Sequence, residues 1–305
     1  MGRFVPFRLV DAFAEIAFTG NPAGVVLSAD GLTDAQCQAL AREVNASETA
    51  FIFGNNLHGP PRIRWWTPIV EVGFCGHATI GAAAALLEVF GTGILRDGAI
   101  LFDSKAGVLR VRPEPIPARP DAFTWWLSMP DAGLTPEKSN PMRTCELLGM
   151  TMDDVEPAAP FMRTRDDDVI ILVKSWQTLF SLQPNMFELA KWQEKQKIRG
   201  YCVSTRETLS ESVHVASRFF APAAGVPEDP VTGSVHGPLA VLLTVNDLVP
   251  SVGGKAALTC VQGEPGGRTG IIRALVETVE RSYRVTIGGT CHVTVRGEIR
   301  VPSER

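Results

Sequence analysis

The sequence is most informative at first through what it lacks. No glycine-rich phosphate signature of the dinucleotide or P-loop kind occurs in its 305 residues, which sets aside nucleotide-binding folds of those types. No excess of basic residues occurs either. The formal net charge is -4, and that mildly acidic balance argues against nucleic acid or an anionic membrane as the main partner. The longest uninterrupted apolar run, residues 82–87, stops at Glu88, well short of the roughly 20 residues of a membrane-spanning helix. The chain opens on a strand-like pattern, without the apolar stretch of a secretory leader, so a cytoplasmic location is expected.

Cys-x-x-Cys pairs are also missing. Cys37, Cys75, Cys145, Cys202, Cys260 and Cys291 are widely spread, and a chain of this length does not need disulfide staples. They read as free thiols, five of them ordinary buried small residues, with Cys75 set apart by its surroundings. Cys75-x-His77 and Cys291-His292 lack the spacing of structural zinc ligands, so no metal is expected.

What is present is a globular composition, 45% apolar and 20% charged, long enough for two domains. Strand-like segments fall at residues 4–11, 23–27, 49–53, 62–66, 100–104 and 108–112. Thr33-Asp34-Ala35-Gln36 has the form of a capping box opening a helix to about Val44. A more polar helix is expected over 184–198. Four prolines in residues 113–120 predict a stiff extended connector outside any sheet. The domain boundary is therefore expected there, giving lobes of residues 1–118 and 119–305.

One pattern occurs twice. Arg64-Trp65-Trp66-Thr67-Pro68 leads to Cys75-Gly76-His77-Ala78 and an apolar helix. Arg218-Phe219-Phe220-Ala221-Pro222 leads to Thr232-Gly233-Ser234-Val235-His236 and another. The repeat predicts two related halves. Both helices, about 78–89 and 235–244, are apolar on nearly every side and must be buried all round. The fold class that follows is α+β: two similar lobes, each a mostly antiparallel sheet rolled around a central buried helix, with a cleft between them.

A helix opening on Gly-polar-small presents backbone N–H groups and a positive dipole end, a natural place for a carboxylate. Gly76 and Gly233 allow close approach there, and Cys75 and Thr232 precede them. The plain alternative is that the glycines only permit tight turns. Asp229 lies in a polar turn beside the second helix start, suited to positioning a substrate hydroxyl or amine. Glu48 stands where a helix gives way to an apolar strand. Desolvation there would raise its pKa toward the range of a general acid/base, whereas a solvated strand-end glutamate is the plain reading. Cys75 beside a helix start could carry a more acidic thiol or merely pack. Trp65, Trp66, Trp125 and Trp126 are either pocket walls or core.

These residues carry a resemblance. Val10-Asp11-Ala12-Phe13 with Gly20-Asn21-Pro22-Ala23-Gly24, Asn45 to Phe51, and Phe74-Cys75-Gly76-His77-Ala78 resemble the PhzF-like family, named for a phenazine-biosynthesis isomerase. So do Phe220-Ala221-Pro222, Glu228-Asp229-Pro230-Val231-Thr232-Gly233-Ser234, Gln262-Gly263 and Val285-Thr286-Ile287-Gly288-Gly289. The resemblance implies the diaminopimelate-epimerase-like fold, a cofactor-independent isomerase and a homodimer. It implies that Glu48 moves a proton between carbons of a small carboxylic acid, helped by His77, Asp229 and Ser234, with Cys75, Gly76, Thr232 and Gly233 around the bound acid. Related racemases use two opposed thiols. Here Thr232 occupies the second position, which disfavours that chemistry. An epimerase or dehydratase using Cys75, and a binding protein without turnover, remain as alternatives.

Overall fold

A computed structural model describes residues 3–54, 59–159, 161–263, 266–280 and 282–303. The chain forms two compact units, one of Met1–Ser128 with Gly288–Arg305, the other of Met129–Ile287. The boundary expected after residue 118 is therefore corrected on two counts: it lies ten residues later, and the C-terminus returns to unit 1.

The reason is the proline-rich stretch. It is not a connector, because Gly107–Ile116 and Arg119–Ser128 are paired strands of one hairpin. Pro113 lies opposite Trp125 and Pro115 opposite Phe123. On the hairpin's other side, the strand Ile100–Ser104 covers only residues 107–111. The two prolines thus lie beyond its end, at an edge, where a missing N–H costs no second ladder bond.

In unit 1 the strands close into a ring. In ring order they are Phe4–Ala12, Asn21–Val26, Glu48–Phe53, Arg62–Trp66, Ile100–Ser104, Gly107–Ile116, Arg119–Ser128 and the C-terminal part of Ser282–Arg300, which pairs back with Phe4–Ala12. Most pairs are antiparallel; Asn21–Val26 with Glu48–Phe53, and Arg62 with Asp103, are parallel. The ring exists because of what it encloses. The helix Gly76–Phe90 is buried from Gly76 to Leu86, as its apolar sequence demands. Together with the turn to Ile94 it is long and apolar enough to cross a membrane by length and composition, beyond what the uninterrupted run suggested. In this protein its side chains pack against the strands of unit 1.

A second helix, Asp34–Val44, covers the outside of the ring, where Leu40 and Ala41 meet Val26, Phe51, Phe53 and Trp66. It begins at the expected capping box of Thr33 and Gln36 and ends on Asn45, which takes the left-handed conformation at φ 53°. That stop turns the chain so that Glu48 opens the next strand. Gly20 serves a similar purpose at φ +67°: a Cβ there would lie 2.2 Å from the Ala12 carbonyl oxygen, so only glycine fits the turn that delivers Asn21.

Unit 2 repeats the connectivity. Met162–Arg163 pairs antiparallel with Asp168–Leu172, which runs parallel to Gly200–Thr205. That strand is antiparallel to Val215–Ala221, itself parallel to Lys255–Gly263, and Thr269–Val279 completes a hairpin. Its apolar helix Gly233–Val245 is buried from Gly233 to Thr244. The helix expected over 184–198 is Met186–Gln196.

The repeat reaches individual side chains. Arg64 donates to Glu71 through Nε and Nη2 at 2.8 and 2.9 Å, and Arg218 donates to Glu228 the same way at 2.8 Å each. Each pair ties an aromatic strand to the loop before an apolar helix, and each arginine stacks over the aromatic residue two places on, Trp66 or Phe220. Arg64 keeps the Glu71 carboxyl below the usual carboxylate range. Trp65, Trp66 and Trp125 are core residues, while Trp126 covers Gly288.

Arg218 is 5% exposed and also donates to the Leu182 and Leu179 carbonyls. Its removal strands a carboxylate and two buried acceptors. Arg218→Ala is therefore expected to cost about 3–5 kcal/mol in urea unfolding. Arg64→Ala should cost less, because Arg64 is more exposed and Glu71 keeps Lys105 at 2.8 Å.

Candidate active site

The first helix start is built from three directions. Cys75 is the N-cap of Gly76–Phe90, in extended conformation, and its side chain makes no capping hydrogen bond. His77 follows in the first turn, 2% exposed. The strand beginning at Glu48 runs beside Asn21–Val26 with Glu48 opposite Ala23, which brings Glu48 and Asn21 to the same helix start. Asn21 Nδ2 and Cys75 Sγ each lie 3.4 Å from His77 Nδ1, and Glu48 Oε2 lies 3.5 Å from His77 Nε2.

These contacts fix the imidazole. With the Asn21 amide nitrogen as donor, Nδ1 accepts and the ring proton is on Nε2, which makes no hydrogen bond to the Glu48 Oε2 3.5 Å away. Burial drives the His77 pKa from 6.5 down to about 3, so the ring is neutral at working pH. Among the described residues, Glu48, Cys75 and His77 form the one group of three potential metal donors, with donor atoms within 4.8 Å of one another. Cysteine and histidine two apart gave no zinc spacing in the sequence; the third donor comes from a strand near residue 50.

The second helix start is organised differently. Thr232 is the N-cap of Gly233–Val245 but makes no capping bond with its side chain. Its hydroxyl donates instead to Asp229 Oδ2 at 2.6 Å and accepts from Gln262 Nε2 at 3.0 Å, while its backbone N–H donates to Gln262 Oε1 at 2.9 Å. Gln262, 1% exposed, thereby fixes both Thr232 and the Asp229 carbonyl. Ser234 accepts a hydrogen bond from Arg199 Nη2 at 2.9 Å, and Arg199 is clamped in turn by the buried Asp168 through Nε and Nη2. Burial pushes the Asp168 carboxyl up to about 6 although Arg199 pulls it down.

The repeat thus has a chemical difference at its centre. Glu48 reaches the second residue of the first helix, His77, and Arg199 reaches the second residue of the other, Ser234. The strand register makes Gly200 the counterpart of Glu48, so Arg199 arises one residue earlier. Sequence reasoning missed Arg199 and Asp168, since their partners lie 31 and 35 residues apart along the chain. It put Glu48, Cys75, Gly76, His77, Asp229, Thr232, Gly233 and Ser234 in one site; in the structure Glu48 and Cys75 meet His77 at the first helix start, and Thr232 meets Asp229 at the second. All six cysteines are free, Cys291 half-buried and the rest buried. Burial pushes Cys37, Cys202 and Cys260 up to about 12 and Cys145 to about 11, leaving them protonated packing groups.

Comparison with known proteins agrees with this architecture. The family described as "Phenazine biosynthesis-like protein" matches residues 10–297. An uncharacterized isomerase of Clostridium acetobutylicum is 34% identical over 95% of this chain and 96% of its own. The uncharacterized isomerase YddE of Escherichia coli K12 is likewise 34% identical over 95% and 96%. Among solved structures, a Bacillus anthracis phenazine biosynthesis protein of the PhzF family superposes with TM-score 0.84 at 25% identity, covering 97% of this chain and 99% of that one. A hydroxyproline epimerase of Agrobacterium vitis shares the fold, with TM-score 0.61 at 13% identity over 99% and 94%. The chain belongs to the phenazine biosynthesis-like family and is an enzyme of the isomerase class.

The buried imidazoles set a pH dependence. His77 and His236 are held below 6.5, at about 3 and about 4, by burial. In the unfolded chain they gain protons as the pH falls past that value, and in the native chain they do not. Acidification therefore removes stability, by up to about 1.4 kcal/mol per pH unit for each histidine between about pH 6 and 4. Asp168 acts in the opposite sense, because its raised pKa lets the native chain take up its proton first. His236, bound to the Thr232 carbonyl and Ser217, is the safer one to replace. Urea unfolding across this range should show a shallower acid loss for His236→Gln than for the parent, with the two curves parallel above about pH 7.

Proposed function

We propose that the protein shifts a proton between carbons of a small carboxylic acid, with Glu48 as the acid/base. One observation carries the reading. A carboxylate 14% exposed stands 3.5 Å from a ring nitrogen of a buried imidazole that stays neutral. Such a neighbour adds no second titrating charge, so the carboxylate alone exchanges protons with substrate. Glu48 takes the proton from one carbon, the electron pair moves through the substrate, and Glu48 returns the proton to the other carbon. Electrons and atoms balance within substrate and enzyme, so the step asks for no cofactor.

The Gly76 amide and the helix dipole behind it hold the substrate carboxylate at the first helix start. The family resemblance supports a polar binding role for Asp229, oriented by Thr232 and Gln262, and for Ser234, which accepts from Arg199, with Gly233 offering its amide. The homodimer implied by the family resemblance belongs to this proposal.

A second reading has its own observation: Cys75 Sγ lies 3.4 Å from His77 Nδ1, so the thiol could act as a base in an epimerisation. Deuterium incorporation separates the two. A panel of small amino and hydroxy acids, with dihydro-hydroxyanthranilate, is incubated in deuterated water and followed by NMR. The Glu48 reading expects substrate-dependent exchange that falls about 100-fold or more in Glu48→Gln and persists in Cys75→Ser. The reverse pattern transfers the role to the thiol. Binding without exchange across the panel would sink both.

A further inference from the structure

We infer that Glu48, Cys75 and His77 form a binding site for a soft or borderline divalent cation such as Zn²⁺ or Cd²⁺, and that occupancy shuts the proton-transfer site. The three side chains supply one carboxylate, one sulfur and one imidazole, a mixed set that suits zinc and disfavours magnesium or calcium. A tetrahedral ion with ordinary Zn–S, Zn–N and Zn–O bonds sets its donors about 3.3–3.6 Å apart. Cys75 Sγ lies 3.4 Å from His77 Nδ1, and His77 Nε2 lies 3.5 Å from Glu48 Oε2, so either ring nitrogen already shares one edge of that size with a neighbour.

No donor separation exceeds 4.8 Å. Closing the longest to a tetrahedral edge takes about 1 Å, within the reach of a χ rotation of Glu48. The Glu48 side chain is the group that can move: it is 14% exposed, against 4% for Cys75 and 2% for His77. It also marks the way in. The imidazole coordinates through Nδ1 by displacing the Asn21 amide, and Cys75, at the positive end of a helix, releases its thiol proton to solvent as the sulfur bonds the ion. One proton leaves per ion bound, so affinity rises with pH. The fourth position stays open, as in sites with three protein ligands.

The consequence for catalysis follows from the atoms used. An ion held this way occupies the carboxylate oxygen and the sulfur at once, so neither the Glu48 step nor a thiol-based alternative can run. Loss of turnover rests on the function proposed above; the binding itself does not.

The experiment is titration of the purified protein with Cd²⁺, followed by the ultraviolet thiolate-to-metal charge-transfer band and by calorimetry, with Mg²⁺ as competitor. The expected result is one equivalent bound, a band absent from Cys75→Ser and retained in Cys291→Ser, and no displacement by Mg²⁺. Glu48→Gln and His77→Ala should each weaken binding by at least the about 10- to 100-fold that changes around metal ligands produce. Absence of the band overturns the proposal, as does a band that survives Cys75→Ser. A band that needs Cys75 but is indifferent to both Glu48→Gln and His77→Ala reduces the site to a lone thiolate and overturns it equally. Each outcome is read without a substrate. A failed exchange assay and a failed metal titration are therefore separate results.

Discussion

Everything in unit 1 follows from the requirement that one helix have no side exposed to water. From Gly76 to Leu86 this helix offers the solvent almost nothing, so the strands must surround it, and the chain closes a sheet into a ring to do so. Enclosure leaves the first turn as the place where the helix can meet polar chemistry. Its backbone N–H groups lack a side-chain cap, and the polar groups gathered there, Asn21, Glu48, Cys75 and His77, are those the surrounding strand and helix starts can deliver. The same enclosure keeps His77 neutral. The site is a product of packing before it is a product of catalytic side chains.

The duplication shows which parts of that arrangement are structural and which are free to diverge. Both halves keep an arginine on the aromatic strand clamped to a glutamate in the following loop, with matching atoms and near-matching distances. Both keep a small residue opening the helix and a side chain in its fourth position bonded to the N-cap carbonyl, Thr79 to Cys75 and His236 to Thr232. Between these fixed points the halves differ at the second helical residue and at what reaches it: a carboxylate touches His77, and a guanidinium touches Ser234. A carboxylate and a guanidinium are thus placed at equivalent points of one repeated frame.

Much of this was legible from local sequence. The Thr33–Gln36 box, the apolar helices and the Cys75-Gly76-His77 start are set by neighbours within a turn or two, where spacing and chemistry act directly. Glu48 drew notice at an abrupt change from polar to apolar residues, but the local sequence favoured a solvated strand end, and its role came from the family resemblance. The Arg199–Asp168–Ser234 chain was not, because strand pairing brings its members together from 31 to 35 residues away. Pro113 and Pro115 misled because proline is barred only where its N–H is needed, and need depends on a neighbouring strand that the local sequence does not show.

The strand that completes the ring of unit 1 comes from residues after 287, while the rest of the ring comes from the first 128. Residues 129–287 lie wholly between and form a contiguous unit. On the ribosome, which delivers the chain from its N-terminus, the middle of the protein therefore has all its parts before the beginning does. The early segment must wait with an unpaired edge along Phe4–Ala12 until residues after 287 have emerged. An emerging chain halted before them would hold a complete second unit and an unsealed first one, a form that invites chaperone capture at that edge.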